Sequence, residues 1–246
     1  MNGAIIYRGP SMLDGAPIVV IATGLAKNSR NGKTGDLVQT WILRDDVSPI
    51  EAVNNGADSS ICGDCPHRGT VVDGKNVGRS CYVTVFQAPL VVWKSAQRGL
   101  YAHLTPSEAR LAFAGRKVRL GAYGDPAAVP MAVWNEALAD IEAGTGYTHQ
   151  WRTCDQSLKN YVMASCDSAL DHELAKAMEW RTFRVRTASE PKLAREVICP
   201  ASAEAGYKTN CAACVACGGF GAKAKADIVI IAHGAANKVN AFVARA

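Results

Sequence analysis

The chain has 246 residues, a formal net charge of +5, 48% apolar residues and nine cysteines. This length and apolar content suffice for one sizeable core, so we expect a single α/β domain over residues 1–246. The longest apolar stretches are far shorter than the ~20 residues of a membrane-spanning helix, which argues against a membrane partner. The net positive charge permits nucleic acid as a partner. However, the lysines and arginines form no long run, so the charge pattern does not itself indicate nucleic-acid binding.

The cysteine content bears on the compartment. The first residues carry neither the basic segment nor the apolar stretch of a secretory signal. We therefore expect a cytoplasmic protein whose thiols stay reduced. In that setting nine cysteines suggest metal ligands, and the odd count would leave one thiol unpaired in any disulfide framework.

Helix and strand signals alternate along the chain. Ser48 and Thr105 each precede a proline and a glutamate in the pattern of a capped helix start, and Gly56 and Gly115 are suitable stops. Taken in chain order, the sequence predicts strands at 16–22 and 37–43, helices from 49, at 89–98 and from 106, a strand at 117–122, a helix at 130–143, strands at 146–150 and 161–165, a helix at 168–179, a strand at 181–185, a short helix at 190–195 and a strand at 227–232. Such alternation favours a mostly parallel sheet, either open or curled as a partial (β/α) barrel.

Polar side chains follow four of the predicted strands where each strand ends. They are Asp125, His149, Asp167 and His233. Because the carboxyl ends of parallel strands share one edge, we expect these four side chains to converge as a catalytic group. The alternative for each is a structural role, with the aspartates capping the next helix and the histidines bonded to backbone groups.

A cysteine group lies near the C-terminus, in a loop at 197–222. Cys199 is followed by Cys211, Cys214 and Cys217, the last three spaced by two residues each, and then by two glycines. This spacing is typical of metal ligation, and the run of three is the form found in cluster-binding ferredoxins. It favours a four-iron cluster over zinc, whose structural sites more often use paired cysteines.

A second group lies in a loop at 57–82 and has three cysteines, Cys62, Cys65 and Cys81. A cluster held by three thiolates leaves one iron open for a substrate or cofactor. A zinc site would instead recruit a fourth ligand, for which His67 is nearest in sequence. Cys154 and Cys166 stand apart, and we expect them to be core or loop thiols.

The order of these motifs resembles a phage protein family called gene product 88 and, more distantly, phage proteins with radical S-adenosylmethionine (radical-SAM) barrels. The resemblance covers about residues 60 to 235. The matching positions are Cys62, Cys65, Cys81-Tyr82, Gly124-Asp125, Tyr147-Thr148, Ala164-Ser165, Cys199-Pro200, Cys211, Cys214, Cys217 and His233. The third cysteine departs from the radical-SAM pattern, in which all three lie within eight residues.

The resemblance implies a partial barrel with cysteine-rich metal-binding insertions, two [4Fe-4S] clusters and the use of S-adenosylmethionine. The turn with Gly121, Tyr123 and Gly124 occupies the place where radical-SAM barrels hold the methionyl amine, and Ser165 falls at a matching strand end. These four residues are therefore the expected cofactor-binding residues. A phage-encoded protein would act in the bacterial host cell.

Three functions remain open from the sequence. One is a radical-SAM-like iron–sulfur enzyme that modifies a small-molecule or nucleotide substrate, or a nucleic acid. The second, which is the main alternative, is a zinc-stabilised protein that binds nucleic acid or another protein without catalysis. A metal-dependent hydrolase is less favoured, because the histidines and aspartates show no close pairing in sequence.

Overall fold

The computed structural model describes residues 2–26, 32–220 and 225–245. Residues 221 and 222 of the second cysteine loop lie outside that range. The strands are β1 (Gly3–Pro10), β2 (Pro17–Thr23), β3 (Val38–Arg44), β4 (Thr70–Val72), β5 (Lys75–Val77), β6 (Ala102–His103), β7 (Lys117–Tyr123), β8 (Ala143–Thr145), β9 (Tyr147–Thr148), β10 (Met163–Cys166), β11 (Thr182–Arg186), β12 (Glu196–Ile198) and β13 (Asp227–Ile231). The helices are α1 (Pro49–Asn55), α2 (Ser59–Cys62), α3 (Ala88–Gln97), α4 (Pro106–Phe113), α5 (Met131–Ala137), α6 (Ala169–Ala177), α7 (Cys211–Cys214) and α8 (Ala236–Val243).

The protein is a mixed α/β structure with two larger sheets. The first has the order β6-β1-β2-β3-β7-β8 and the second the order β12-β13-β11-β10-β9, while β4 and β5 form a separate hairpin. Pairing is antiparallel between β1 and β2 and between β2 and β3, and parallel from β3 to β7 and throughout the second sheet. The expected parallel pairing is confirmed for these strands, whereas β1, β2 and β3 pair antiparallel with one another and β1 pairs in parallel with the short β6.

The two sheets meet at Gly146. This residue alone separates β8 in the first sheet from β9 in the second. A Cβ atom at this position would lie 2.8 Å from Val162 Cγ1 and 3.0 Å from Leu120 Cβ, so the close approach requires glycine. As a result, the carboxyl ends of β7, β9 and β10 lie next to one another across the junction.

The largest apolar core draws on both sheets and the helices that cover them. It includes Val20 and Ile42 of the first sheet, Ala164 of the second and the indole of Trp134, all of them buried. The predicted helix starts are confirmed. Ser48 accepts a hydrogen bond from the backbone of the first turn of α1, and Thr105 forms a full capping box at α4.

Several elements differ from the sequence-based expectation. Residues 190–195 are not helical, because the Glu190 side chain folds back on Thr187 and its carbonyl accepts from Arg186. Helix α5 ends at Ala137, and residues 143–145 instead pair with β7. Strand β1 and helix α8 were not predicted at all. No helix among the described residues is long and apolar enough to cross a membrane.

Candidate metal and active-site region

The first cysteine group forms where α2 ends against the carboxyl edge of the sheets. Cys62 is the last residue of α2, and the Cys65 N–H bonds to its carbonyl at 3.2 Å. Gly63 has a positive φ of 58°, and a side chain there would collide with the Gln150 amide. Cys81 is distant from Cys62 and Cys65 in sequence. It reaches the same group because its N–H bonds to the His67 carbonyl at 2.9 Å.

The three thiols of this group lie close enough to influence one another. Burial raises the pKa of the Cys62 thiol well above its ordinary value, and the neighbouring Cys65, Asp58 and Cys81 raise it further. Such crowding is unfavourable for free thiolates, but a bound cation would stabilise it. The donor set therefore fits a metal centre.

The buried phenol of Tyr123 also bears on what the first cysteine group could hold. Its side chain is buried, and its Oη has no hydrogen-bond partner within the described part of the chain. Burial raises the pKa of this phenol well above its ordinary value, and Cys62 is the next largest cause. An unsatisfied buried hydroxyl beside a thiol fits a group that would accept a hydrogen bond there, such as a cluster sulfur.

Two histidines and an aspartate lie beside the first cysteine group. His67 Nε2 is 2.9 Å from Asp167 Oδ1, and His149 Nε2 is 3.2 Å from Asp167 Oδ2. Burial lowers the His149 pKa, but hydrogen bonds and charge from Cys65 and Asp167 more than offset this, and the net pKa lies well above its ordinary value. Burial raises the Asp167 pKa, but hydrogen bonds from both histidines hold it well below its ordinary value.

The partners of His67 define its tautomer. Arg245 Nη2, which can only donate, lies 3.1 Å from His67 Nδ1, and Ser80 Oγ lies 2.7 Å from the same atom. Nδ1 is therefore the acceptor, and Nε2 carries the proton that it donates to Asp167. Both ring nitrogens of His67 are engaged away from the cysteines, so the arrangement does not favour His67 as a fourth zinc ligand.

Asp125 has a structural role within the same region. Its Oδ2 accepts from the His149 backbone N–H at 2.8 Å, and its Oδ1 accepts from the Ala127 N–H at 2.9 Å. The carboxylate thus caps the turn after β7 and fixes the position of His149. Gly121 and Gly124 have φ values of 66° and 82° and no room for a side chain, so the turn before Asp125 requires both glycines.

Two other expected site residues are placed as follows. Ser165 is buried in β10, and its carbonyl accepts the Trp151 indole N–H at 3.1 Å. His233 does not join the other three strand-end residues. Its Nε2 lies 2.5 Å from Lys33 Nζ, and its ring lies 6.4 Å from that of Tyr82.

The second cysteine group surrounds helix α7. Asn210 caps this helix, Val215 ends it in a left-handed conformation, and the Gly146 N–H bonds to the Cys217 carbonyl at 3.1 Å. Burial raises the pKa of Cys217 to about 12, with further contributions from Cys199, Cys211 and Cys214. The other three thiols are therefore near enough to Cys217 to influence its ionisation and, like the first group, the four would be stabilised by a cation.

Arg181 holds the end of this second loop, which the sequence did not predict. Its guanidinium donates to the carbonyls of Ala216, Gly218, Gly219 and Ala226. Gly219 permits this packing, since a Cβ there would lie 2.1 Å from the Lys159 carbonyl. All nine cysteines are free thiols, and Cys154 and Cys166 belong to neither group.

The C-terminal helix clamps the segment between Cys65 and Cys81. The ring of Phe242 stacks on His67 with a centroid separation of 5.7 Å. Arg245 donates to the Pro66 carbonyl at 2.5 Å and to Ser80 Oγ at 2.7 Å, and Lys238 donates to the Arg79 carbonyl at 3.2 Å. Both ends of α8 therefore hold the loop that positions the third cysteine.

Replacing Phe242 by Ala is expected to loosen this clamp. The change removes a buried ring, 4% exposed, from His67 and should lower the free energy of unfolding by about 3 kcal/mol. Amide hydrogen exchange in segment 66–80 should speed up. The matched control is Val243→Ala, at a neighbouring position that is 51% exposed. Unchanged exchange in segment 66–80 of Phe242→Ala would show that α8 does not hold the loop.

Comparisons of the chain with models of protein families, with curated proteins and with solved structures give no match.

Proposed function

We propose that the protein is an iron–sulfur enzyme of radical-SAM-like type. In this proposal Cys62, Cys65 and Cys81 hold one four-iron cluster, and Cys199, Cys211, Cys214 and Cys217 hold another. The parallel strands β3, β7 and β8 of the first sheet and β9, β10, β11, β13 and β12 of the second would form a partial barrel. The direct passage from β8 at the edge of the first sheet to β9 at the edge of the second, through Gly146, places these two edges next to each other in sequence, as such a barrel needs.

The observation that carries the choice of iron is the run of Cys211, Cys214 and Cys217, which has the form found in cluster-binding ferredoxins. Among the described residues, one set of three metal-ligand atoms lies within 4.8 Å of one another, and it comes from His67, His149 and Asp167. No three sulfurs of either cysteine group, therefore, all lie within 4.8 Å of one another. Thiolates around one zinc ion, at about 2.3 Å each, would be about 3.8 Å apart. Neither group therefore has the compact arrangement of a site for one zinc ion.

Three cysteines at the carboxyl edge of parallel strands support a catalytic role for the first centre. A cluster with three cysteine ligands supplies an electron and an open iron to which S-adenosylmethionine can bind. Of the chain's own residues, Tyr123 would donate a hydrogen bond from its hydroxyl to that centre. His149, fixed by Asp125 and Asp167, would hold a proton beside it. A nucleotide or nucleic acid is the substrate class that we propose.

One contact favours a second candidate, a structural zinc site. Cys65 raises the pKa of His149, and His149 Nε2 lies 3.2 Å from Asp167 Oδ2. A zinc-ligating histidine commonly has this kind of carboxylate partner. In that case His149 would be the fourth ligand with the three cysteines, and the protein would be a binding protein without chemistry.

Replacing His149 by Ala separates the two candidates. For the iron–sulfur enzyme, the variant should keep the wild-type iron content, because His149 is not a ligand, and should lose reductive cleavage of S-adenosylmethionine to 5′-deoxyadenosine by about 100-fold or more. Metal analysis of the anaerobically purified variant and chromatography of the product test both points. Cys154→Ser is the control for loss of metal during purification. Loss of one zinc ion in the variant, with no iron in the wild type, would establish the structural site instead.

A further inference from the structure

A cluster of cationic and aromatic side chains lies apart from the Asp125–His149–Asp167 group. Its centre is Arg119, in the middle of β7 on the face opposite the buried Val118 and Leu120. Arg119 Nη2 donates to Tyr82 Oη at 2.6 Å. Tyr82 is 55% exposed, so this face of the cluster is open to solvent.

His233 and Lys33 complete the cluster. His233 Nδ1 lies 3.0 Å from the Ile231 carbonyl, which can only accept, so Nδ1 carries the proton. The other nitrogen, Nε2, then accepts from Lys33 Nζ at 2.5 Å. Burial lowers the His233 pKa, and the charge of Lys33 lowers it further, in agreement with a neutral ring. His233 thus orients the ammonium group of Lys33.

The charge of Arg119 has no carboxylate partner. In the part of the chain that the structure describes, Arg119 makes no ion pair with an aspartate or glutamate, and its hydrogen bond is to a neutral phenol. Arg68 and Arg184, by contrast, each pair with a buried carboxylate. A partly enclosed guanidinium without an anion is a suitable site for one.

The cluster lies between the two cysteine groups. Tyr82 directly follows Cys81 of the first group. The Cys211 N–H of the second group donates to the Lys33 carbonyl at 3.1 Å. A ligand bound to this cluster would therefore be adjacent to both groups.

We propose that Arg119, Lys33 and Tyr82 bind the anionic group of a small-molecule substrate, a carboxylate or a phosphate. Arg119 presents a planar pair of N–H donors that matches either group, Lys33 adds a point charge, and the exposed Tyr82 ring covers the ligand. His233 acts as a positioning residue for Lys33. The inference depends on the proposed function only for the idea that the bound anion is a substrate.

The test is calorimetric titration of the full-length, metal-containing protein with inorganic phosphate and, separately, succinate, at ionic strength held constant with chloride. We expect saturable binding of at least one probe. Arg119→Gln should weaken it about tenfold or more, since a hydrogen bond to a charged group contributes roughly 1.5–3 kcal/mol. Arg110→Gln is the matched control, because Arg110 pairs with Asp140 at the surface of α4. Binding of phosphate alone or of succinate alone assigns the substrate class.

Three results would overturn the proposal: no binding of either probe, equal affinity in wild type and Arg119→Gln, or loss of metal from the second cysteine group in Arg119→Gln with affinity unchanged. The last result would make Arg119 a counter-charge for that centre. If Arg119→Gln does not fold, Tyr82→Phe replaces it, with an expected loss of about threefold from removal of one hydroxyl. Anion binding that depends on Arg119 in a protein containing only zinc would uphold this inference while contradicting the iron–sulfur function.

Discussion

Replacing Cys81 by Ser is expected to halve the iron content of the protein. Wild-type protein should hold about eight iron atoms per chain, and the variant about four, because a serine hydroxyl does not replace a thiolate in a cluster. Cys81 is held beside Cys62 and Cys65 through the His67 carbonyl, and the other four thiols form a separate group. The second centre should therefore survive. Iron and acid-labile sulfide assays after anaerobic purification measure the change.

The control for this experiment is Cys154→Ser. Cys154 belongs to neither group, and burial raises its pKa to about 12, so it is an inert thiol. This variant should keep all of the iron. Loss of both centres in Cys81→Ser, with the protein still folded by circular dichroism, would mean that the seven cysteines form one shared site. Unchanged iron in Cys81→Ser would exclude Cys81 as a ligand.

The largest expected effect on stability comes from replacing Glu196 by Gln. Glu196 forms a bidentate ion pair with Arg184 at 2.7 and 2.8 Å, and the two side chains are 0% and 1% exposed. Glu196 Oε2 also accepts the Leu193 N–H at 2.6 Å. Removing the negative charge leaves the Arg184 cation buried without compensation, which should cost about 3–5 kcal/mol of the free energy of unfolding.

Thermal denaturation measures this loss as a fall of about 10 °C in Tm for a chain of this size. Glu136→Gln is the matched control, since Glu136 lies 3.9 Å from Arg110 in an exposed pair and should change Tm by no more than about 2 °C. A fall in Tm for Glu196→Gln as small as in the control would show that the buried pair contributes little.

Features encoded by neighbouring residues could be predicted from the sequence. The caps at Ser48 and Thr105 depend on residues within one helical turn, and both are present. The spacing of Cys211, Cys214 and Cys217 limits where their thiols can lie. The strand ends near His149 and Asp167 follow from short apolar runs, and the structure places these two side chains 3.2 Å apart.

Features that depend on distant parts of the chain gave no sequence signal. Helix α8 contacts segment 66–80 through Phe242 and Arg245, more than 160 residues away, and only the tertiary fold determines that contact. The separation of His233 from Asp167 has the same origin, because the order of strands places β11 between β10 and β13. Arg119 and Tyr82 likewise meet only through the packing of the first cysteine loop against β7.

The central claim is that two groups of cysteines hold iron–sulfur clusters. The most direct measurement is the content of iron, zinc and acid-labile sulfide in anaerobically purified wild-type protein, together with its visible absorption spectrum. The account predicts brown protein with about eight iron atoms and about eight sulfides per chain. Colourless, folded protein with about two zinc ions and no sulfide would contradict it.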